Sequence, residues 1–140
     1  MNTHPFLFQP GIWIGEGHVA FFGSQDTVKF YTRWQVLDPG PKKLILLQEV
    51  EIHGVDPKNR NTFTFSEITD SKFQVLLENE SMGSVLGKGV IDDKTIAWEL
   101  RDHTGFEGYE VYELKDSGEY HFHAEYVSGE PFRTLIDGRV

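Results

Sequence analysis

The sequence predicts an all-β protein, a single antiparallel up-and-down β-barrel of about ten strands. Three observations carry this prediction. Short segments alternate apolar and polar residues, and turn residues interrupt them about every 10–14 residues. No window carries a convincing apolar stripe with the period of a helix. The connections are short, as in consecutive antiparallel hairpins, and closing such a meander removes its exposed edges, which favours a barrel over a sandwich.

Each predicted strand ends at a cluster of turn-forming residues, of which Asp38-Pro39-Gly40-Pro41 is the strongest. The predicted strands are roughly Gly11–Phe22, Thr27–Leu37, Lys43–His53, Thr62–Ile68, Lys72–Glu78, Ser84–Ile91, Thr95–Arg101, Gly108–Leu114, Glu119–Val127 and Phe132–Val140. Before the first strand, Phe6-Leu7-Phe8-Gln9 is expected to form a short turn of 3₁₀ helix. With no linker or low-complexity tract between strands, residues 1–140 are predicted to be one domain.

Charge and cysteine content exclude several classes of function. The net charge is −9 and the pI is about 5.0, which argues against a nucleic-acid binder or a partner of anionic membranes. The longest apolar run, Leu44–Leu47, is too short to span a bilayer. Cysteine is absent, which excludes disulfides, thiolate nucleophiles and Cys-ligated zinc. No secretory signal is recognisable at the N-terminus, and we expect a cytoplasmic protein.

Alternation assigns one face of six of the predicted strands to the interior. The opposite faces are mostly polar or charged, as in Lys29/Arg33 and His121/His123. The residues predicted to point inward are Trp13, Gly15, Gly17, Val19 and Phe21; Phe30, Thr32 and Trp34; Leu44, Leu46, Gln48 and Val50; Phe73, Val75 and Leu77; Ile96, Trp98 and Leu100; and Tyr120, Phe122, Ala124 and Tyr126. The two inward glycines indicate either a sharply coiled strand or a close approach by another strand.

The predicted interior is rich in aromatic residues and contains a few polar groups, which is typical of a site for a small apolar molecule. We therefore predict non-enzymatic binding of a small hydrophobic or aromatic ligand inside the barrel. The candidate walls are Phe30, Trp34, Phe73, Trp98, Phe122 and Tyr126, with Gln48 or Tyr120 orienting the ligand. The alternative is a barrel filled by these side chains, which would act in protein association through its acidic surface.

The first strand reads Gly11-Ile12-Trp13-Ile14-Gly15-Glu16-Gly17, and its Gly-x-Trp resembles the signature of the calycin superfamily. The longer motif is similar to the opening strand of nitrobindins, which are haem-binding ten-stranded barrels. This resemblance implies that Trp13 packs against a basic residue of the last strand, Arg139 or else Arg133, and closes the barrel. Nitrobindins ligate haem through a His just after a Pro near the C-terminus, whereas Pro131–Ile136 has none. We predict no cofactor, with a haem-binding or catalytic barrel using a cavity histidine as the alternative.

Other polar clusters are assigned to the surface. His121 and His123 point the same way and could bind a metal with Glu125, but the charged neighbouring strands favour a polar outer face. Glu49 and Glu51 are expected to form a solvent-facing charge ladder. The remaining histidines are expected in solvent, namely His4, His18, His53 and His103. We predict neither a metal site nor a catalytic residue, and the sequence leaves the oligomeric state open.

Overall fold

Ten strands form one closed antiparallel barrel in the computed structural model. Every strand pairs with its neighbours in the chain, and β1 pairs with β10 to close the barrel. The predicted fold class is confirmed. The strands are β1 (Gly11–Phe21), β2 (Thr27–Val36), β3 (Lys43–Ile52), β4 (Asn59–Ser66), β5 (Lys72–Asn79), β6 (Gly83–Ile91), β7 (Thr95–Arg101), β8 (Phe106–Leu114), β9 (Tyr120–Ser128) and β10 (Arg133–Arg139).

The structure describes residues 4, 6–9, 11–21, 27–37, 43–53, 59–79, 83–101, 106–128 and 133–140, with side chains except at 21, 59, 128 and 133–135. Within these ranges no helix has the length and apolar character needed to cross a membrane. Residues 6–9 form a turn followed by a bend, so the predicted 3₁₀ helix is not formed there.

The predicted inward faces are buried, or partly buried at Trp13, Val50 and Tyr126, wherever the structure describes their side chains. On β2, Phe30, Thr32 and Trp34 are buried, while Tyr31 between them is exposed. The pleat of a strand sends successive side chains to opposite faces, so alternation in sequence becomes an inside and an outside. The charged faces point to solvent, where Nη1 of Arg33 and Oε1 of Glu49, on adjacent strands, lie 4.0 Å apart.

The glycines of β1 allow the barrel to close tightly against β10. Gly17 lies opposite Gly138, and a Cβ added to Gly17 would lie 2.1 Å from the carbonyl oxygen of Asp137. A Cβ on Gly15 would lie 2.9 Å from Cγ2 of Thr32 and equally crowd the neighbouring backbone. A side chain at either position would push the strands apart, so the close approach expected from these glycines is confirmed.

The predicted contact between Trp13 and Arg139 is not formed. Arg139 pairs with Glu16 in the β1–β10 register, and both side chains point outward, with Nη2 of Arg139 3.0 Å from Oε1 of Glu16. Trp13 is covered instead by the rings of Phe6 at 5.3 Å and Tyr120 at 6.1 Å. The register explains the correction, because residues opposite each other on adjacent strands share one face. The side chain of Arg133 lies outside the described part of the chain.

The N-terminal segment fills the end of the barrel where β5, β7 and β9 begin. Phe6 and Leu7 are 0% exposed. The centroid of the Phe6 ring lies 5.0 Å from that of Tyr120 and 5.1 Å from that of Tyr112. The ring of Phe8 packs against Phe73, with centroids 5.7 Å apart. Leu7 has a φ of +69°, in the left-handed region that is unfavourable for a leucine. The burial of these side chains offsets that cost.

His4 corrects another prediction, because it is 3% exposed and does not lie in solvent. Its Nε2 lies 2.6 Å from the carbonyl oxygen of Asp92, and its Nδ1 lies 2.6 Å from the hydroxyl of Tyr120. A carbonyl only accepts hydrogen bonds, so Nε2 is the donor; in the neutral ring Nδ1 accepts from Tyr120. His4 therefore fastens the N-terminal segment to β9, through Tyr120, and to the residue that follows β6, Asp92.

Candidate ligand-binding cavity

The opposite half of the barrel contains a cavity of about 360 Å³. It reaches the end of the barrel where β3 and β5 finish, at Ile52 and Asn79, and where β8 starts, at Phe106. We call this half the hollow end, and the half closed by the N-terminal segment the packed end. The cavity is lined by Val19, Phe30, Thr32, Gln48, Val50, Ile52, Asn61, Phe63, Leu77, Asn79, Phe106, Glu110, Tyr112, Phe122, Ala124, Tyr126 and Ile136.

The eight candidate ligand-binding residues are divided between the two ends. Four of them line the cavity, namely Phe30, Gln48, Phe122 and Tyr126. The other four do not line it and are buried in the packed end, namely Trp34, Phe73, Trp98 and Tyr120. All eight point inward, as predicted, but their height along the barrel axis decides whether a side chain meets open space or another ring.

Small inward residues leave the hollow end open. Ala124 stands opposite Glu110 in the β8–β9 pair, and Gly108 stands opposite Tyr126. A Cβ on Gly108 would lie 2.2 Å from Cδ1 of Tyr126, so this glycine provides the space for the phenol ring. This wall carries rings as well, but Ala124 adds only a methyl group to the interior.

Glu110 is the acidic group of the cavity. It is 6% exposed, and its two carboxylate oxygens accept hydrogen bonds from two phenols. The Tyr112 hydroxyl donates to Oε1 at 2.7 Å, and the Tyr126 hydroxyl donates to Oε2 in a very short contact. The indole N–H of Trp98 has no hydrogen-bond partner among the described residues, yet it lies close enough to Glu110 to favour the charged form of the carboxyl group.

Burial controls the protonation of this group of side chains. Removal from water raises the pKa of Glu110, and the hydrogen bonds from Tyr126 and Tyr112, together with the nearby indole N–H of Trp98, oppose that rise without cancelling it. Burial, together with the neighbouring Glu110 carboxylate, raises the pKa of Tyr112 and of Tyr126 well above 10.0. Both phenols therefore keep their protons at neutral pH and remain hydrogen-bond donors.

A chain of amides forms the polar part of another wall. Asn79 Nδ2 lies 2.6 Å from Oδ1 of Asn61, and Asn61 Nδ2 lies 2.9 Å from Oε1 of Gln48. Gln48 Nε2 in turn donates to Oγ1 of Thr32 at 3.2 Å. Each amide donates to the next residue in the order Asn79, Asn61, Gln48 and Thr32. Each hydrogen bond therefore fixes the orientation of the amides that it joins. Such a wall offers a ligand both donors and acceptors.

The acidic group and the amides face each other across the barrel. Glu110 lies on β8 and Gln48 on β3, and these two strands are five places apart whichever way one counts around the ten-stranded barrel. Apolar rings line the cavity between them, including Phe30 and Phe122, whose centroids are 5.9 Å apart. An occupant would meet apolar surface in its middle and polar groups on two opposite walls.

The surface candidates lie outside the cavity. His121 is exposed, and Nδ1 of His123 lies 2.6 Å from Oδ1 of Asp137 on the outer face. Glu125 accepts a hydrogen bond from Tyr109. No group of three potential metal ligands occurs among the described residues. Glu49 and Glu51 also face outward, and His103 lies outside the described residues.

Among the polar residues of the cavity, sequence reasoning missed Glu110, Tyr112, Asn61 and Asn79. The alternation of β8 contains the signal for two of them, because Gly108, Glu110 and Tyr112 share one face. That face holds an acid and a glycine, so its polarity does not mark it as the inner one. The two asparagines lie near strand ends, where polar residues are ordinarily assigned to turns.

The fold and the cavity define a class of protein, the closed ten-stranded antiparallel barrel with an interior cavity. One solved protein of this shape is given by the crystal structure of Rv2717c from M. tuberculosis, which superposes with a TM-score of 0.68 over 93% of this chain and 90% of that chain. The two sequences are 14% identical, so the similarity extends to the fold alone. No protein-family model matches the sequence, and no curated protein matches it.

Proposed function

We propose that this chain is a calycin-like barrel that binds a small apolar or aromatic molecule in its hollow end, without catalysis. The observation that carries the proposal is the cavity of about 360 Å³. Its volume falls within the range of small-molecule sites, about 300–1,000 Å³. The cytoplasm is the proposed compartment, in keeping with a chain that has no cysteine.

The lining supports a ligand with an apolar body. Leu77 and Phe122 are buried aliphatic and aromatic side chains that offer contact area without polar groups. Burying apolar surface contributes about 25 cal/mol per Å², so an apolar ligand gains by leaving water. The few polar groups, Glu110 and Gln48 among them, lie at fixed positions and would set the ligand's orientation.

Haem is not supported as an alternative by the described residues. His4 lies in the packed end, while His18, His53 and His121 are exposed on the surface. None of the described histidines lines the cavity, so these residues do not fit the axial ligation that the nitrobindin resemblance implies. The filled-barrel alternative requires a solid interior, which the packed end has and the hollow end lacks.

The proposal is tested by filling the cavity. Val50 lines it, while Leu47 on the same strand points outward with 38% of its surface exposed. We expect 2-(2-naphthyl)ethanol, a neutral aromatic probe, to bind the wild type in isothermal titration calorimetry. Val50→Trp should abolish this binding, because the indole occupies the ligand's space.

Leu47→Trp is the matched control, since it adds the same side chain to the outer face of β3. It should bind the probe as the wild type does. Circular dichroism of both variants checks that the barrel is folded. Binding that survives in folded Val50→Trp, or that is absent in the wild type, contradicts the proposal.

A further inference from the structure

Glu110 has no basic partner in the described part of the chain. Its hydrogen bonds come from the neutral hydroxyls of Tyr112 and Tyr126, and no described Lys, Arg or His lines the cavity. A buried carboxylate is costly unless it is paired, and hydroxyl donors supply only part of that pairing. An acid held this way inside a ligand cavity is suited to complete its pairing with the ligand.

The geometry of the carboxyl leaves room for such a partner. Each carboxylate oxygen can accept two hydrogen bonds, and each accepts one from a phenol. Ala124, opposite Glu110 on β9, has only a methyl group and covers little of the carboxyl. Open cavity therefore lies beside an acceptor that is not fully used.

The surrounding rings also favour a cation. Tyr112 stacks on Phe122 with centroids 5.0 Å apart, and Tyr126 stacks on Phe106 at 5.7 Å, so aromatic faces flank the acid. A cation near such faces is attracted to their negative π-surface. The net charge of −9 adds an attraction over the whole molecule for positively charged ligands.

We propose that the ligand is an amphipathic amine, an aromatic or apolar body carrying one protonated nitrogen that donates to the Glu110 carboxylate. This inference rests on the proposed function, because it specifies the ligand class of the same cavity. The apolar body contacts Phe30 and Phe122, and the nitrogen lies within hydrogen-bond distance of Glu110. Tyr112 and Tyr126 hold the carboxylate in place.

The test compares two probes of nearly equal shape, 2-(2-naphthyl)ethylamine and 2-(2-naphthyl)ethanol, by calorimetry at pH 7. We expect the wild type to bind the amine about 10- to 100-fold more tightly than the alcohol, because the amine forms a hydrogen bond between charged groups. Glu110→Gln should remove this preference, so that the variant binds the two probes with affinities within about threefold of each other. The wild-type comparison alone remains decisive if the variant does not fold.

Glu113→Gln is the matched control, since it removes the same charge from the outer face of β8. It should retain the preference for the amine. Equal affinities of the wild type for the two probes overturn the inference while the proposed function stands. A preference for the amine that persists in folded Glu110→Gln, or that disappears in Glu113→Gln, also overturns it. Failure of both probes to bind the wild type overturns the proposed function itself.

Discussion

The two ends of this barrel are built from the same alternating strands, but their interiors differ. In the packed end, Trp34 is ringed by Phe6, Phe63 and Trp98, with centroids between 5.2 and 6.3 Å away. In the hollow end, Phe30 has a single described ring neighbour, and a cavity of about 360 Å³ lies beside it. Strand pairing therefore fixes the wall of the barrel and leaves its contents to individual side chains.

Two features produce the difference. The N-terminal segment supplies Phe6, Leu7 and Phe8 to one end only. At the other end Ala124 of β9 presents only a methyl group opposite Glu110, while the ring of Tyr126 occupies the space over Gly108. The N-terminal segment thus fills one end of the barrel. The other end stays open where Ala124 lies opposite the buried Glu110.

Removing one ring from each end should have the largest effect and should distinguish the two interiors. Phe65 is 0% exposed and lies 4.6 Å from Phe73 and 5.6 Å from Trp98, so Phe65→Ala should cost about 3–5 kcal/mol in free energy of unfolding. Phe30→Ala should cost less, about 1.5–3 kcal/mol, because it enlarges a space that is already open. Urea denaturation measures both values, and equal losses would contradict the difference in packing.

Detaching the N-terminal segment should have the next largest effect. His4→Ala removes hydrogen bonds to Tyr120 and to the backbone of Asp92, and we expect a loss of about 1–3 kcal/mol in the free energy of unfolding. The control is His53→Ala, an exposed position where the change should stay within about 0.5 kcal/mol. Thermal and urea unfolding test the pair. Equally small losses of stability in His4→Ala and His53→Ala would mean that the N-terminal segment contributes little to the stability of the packed end.

The buried acid predicts a pH dependence that belongs to the hollow end. The pKa of Glu110 is raised above 4.5 in the folded protein, so the folded state keeps a proton that the unfolded state releases. Between about pH 4.5 and the raised pKa, the wild type should lose stability relative to Glu110→Gln as pH rises, by about 1.4 kcal/mol per pH unit. Urea titrations across this range measure the difference. A stability difference between the two proteins that stays constant with pH, or that changes in favour of the wild type as pH rises, would contradict the prediction.

Arg139 should give the smallest effect. Its side chain is 56% exposed and pairs with Glu16 and Glu119 outside the barrel, so Arg139→Ala should cost less than about 1 kcal/mol. The tryptophan emission spectrum of the protein should not change, because Phe6 and Tyr120 cover Trp13. A larger loss with a shifted emission spectrum would restore the role that the calycin resemblance implies for this arginine.

The wall of the barrel could be predicted from the sequence because alternation is a local signal. In six of the ten strands the alternation of apolar and polar residues indicates the inward face, and turn clusters such as Asp92-Asp93-Lys94 mark where a strand ends. The strand bounds and the inward faces agree closely with the structure for this reason.

The contents of the barrel could not be predicted in the same way. His4 and Tyr120 are 116 positions apart in the chain, and no local pattern indicates that they meet. Trp98 and Phe122 both point inward, yet only Phe122 lines the cavity, because the register and the N-terminal segment decide the level at which each ring lies. Glu110 was missed because an acid on an inner face looks like an outer one in sequence.

Methyl NMR during titration with 2-(2-naphthyl)ethanol tests the central claim, a hollow end that binds and a packed end that does not. The account predicts shifts of the Val50, Leu77 and Ile136 methyl signals, which line the cavity. It predicts unchanged signals for Leu46 and Ile96, which are 0% exposed and do not line the cavity. Shifts of equal size at both ends, or no shifts at saturating probe, would contradict it.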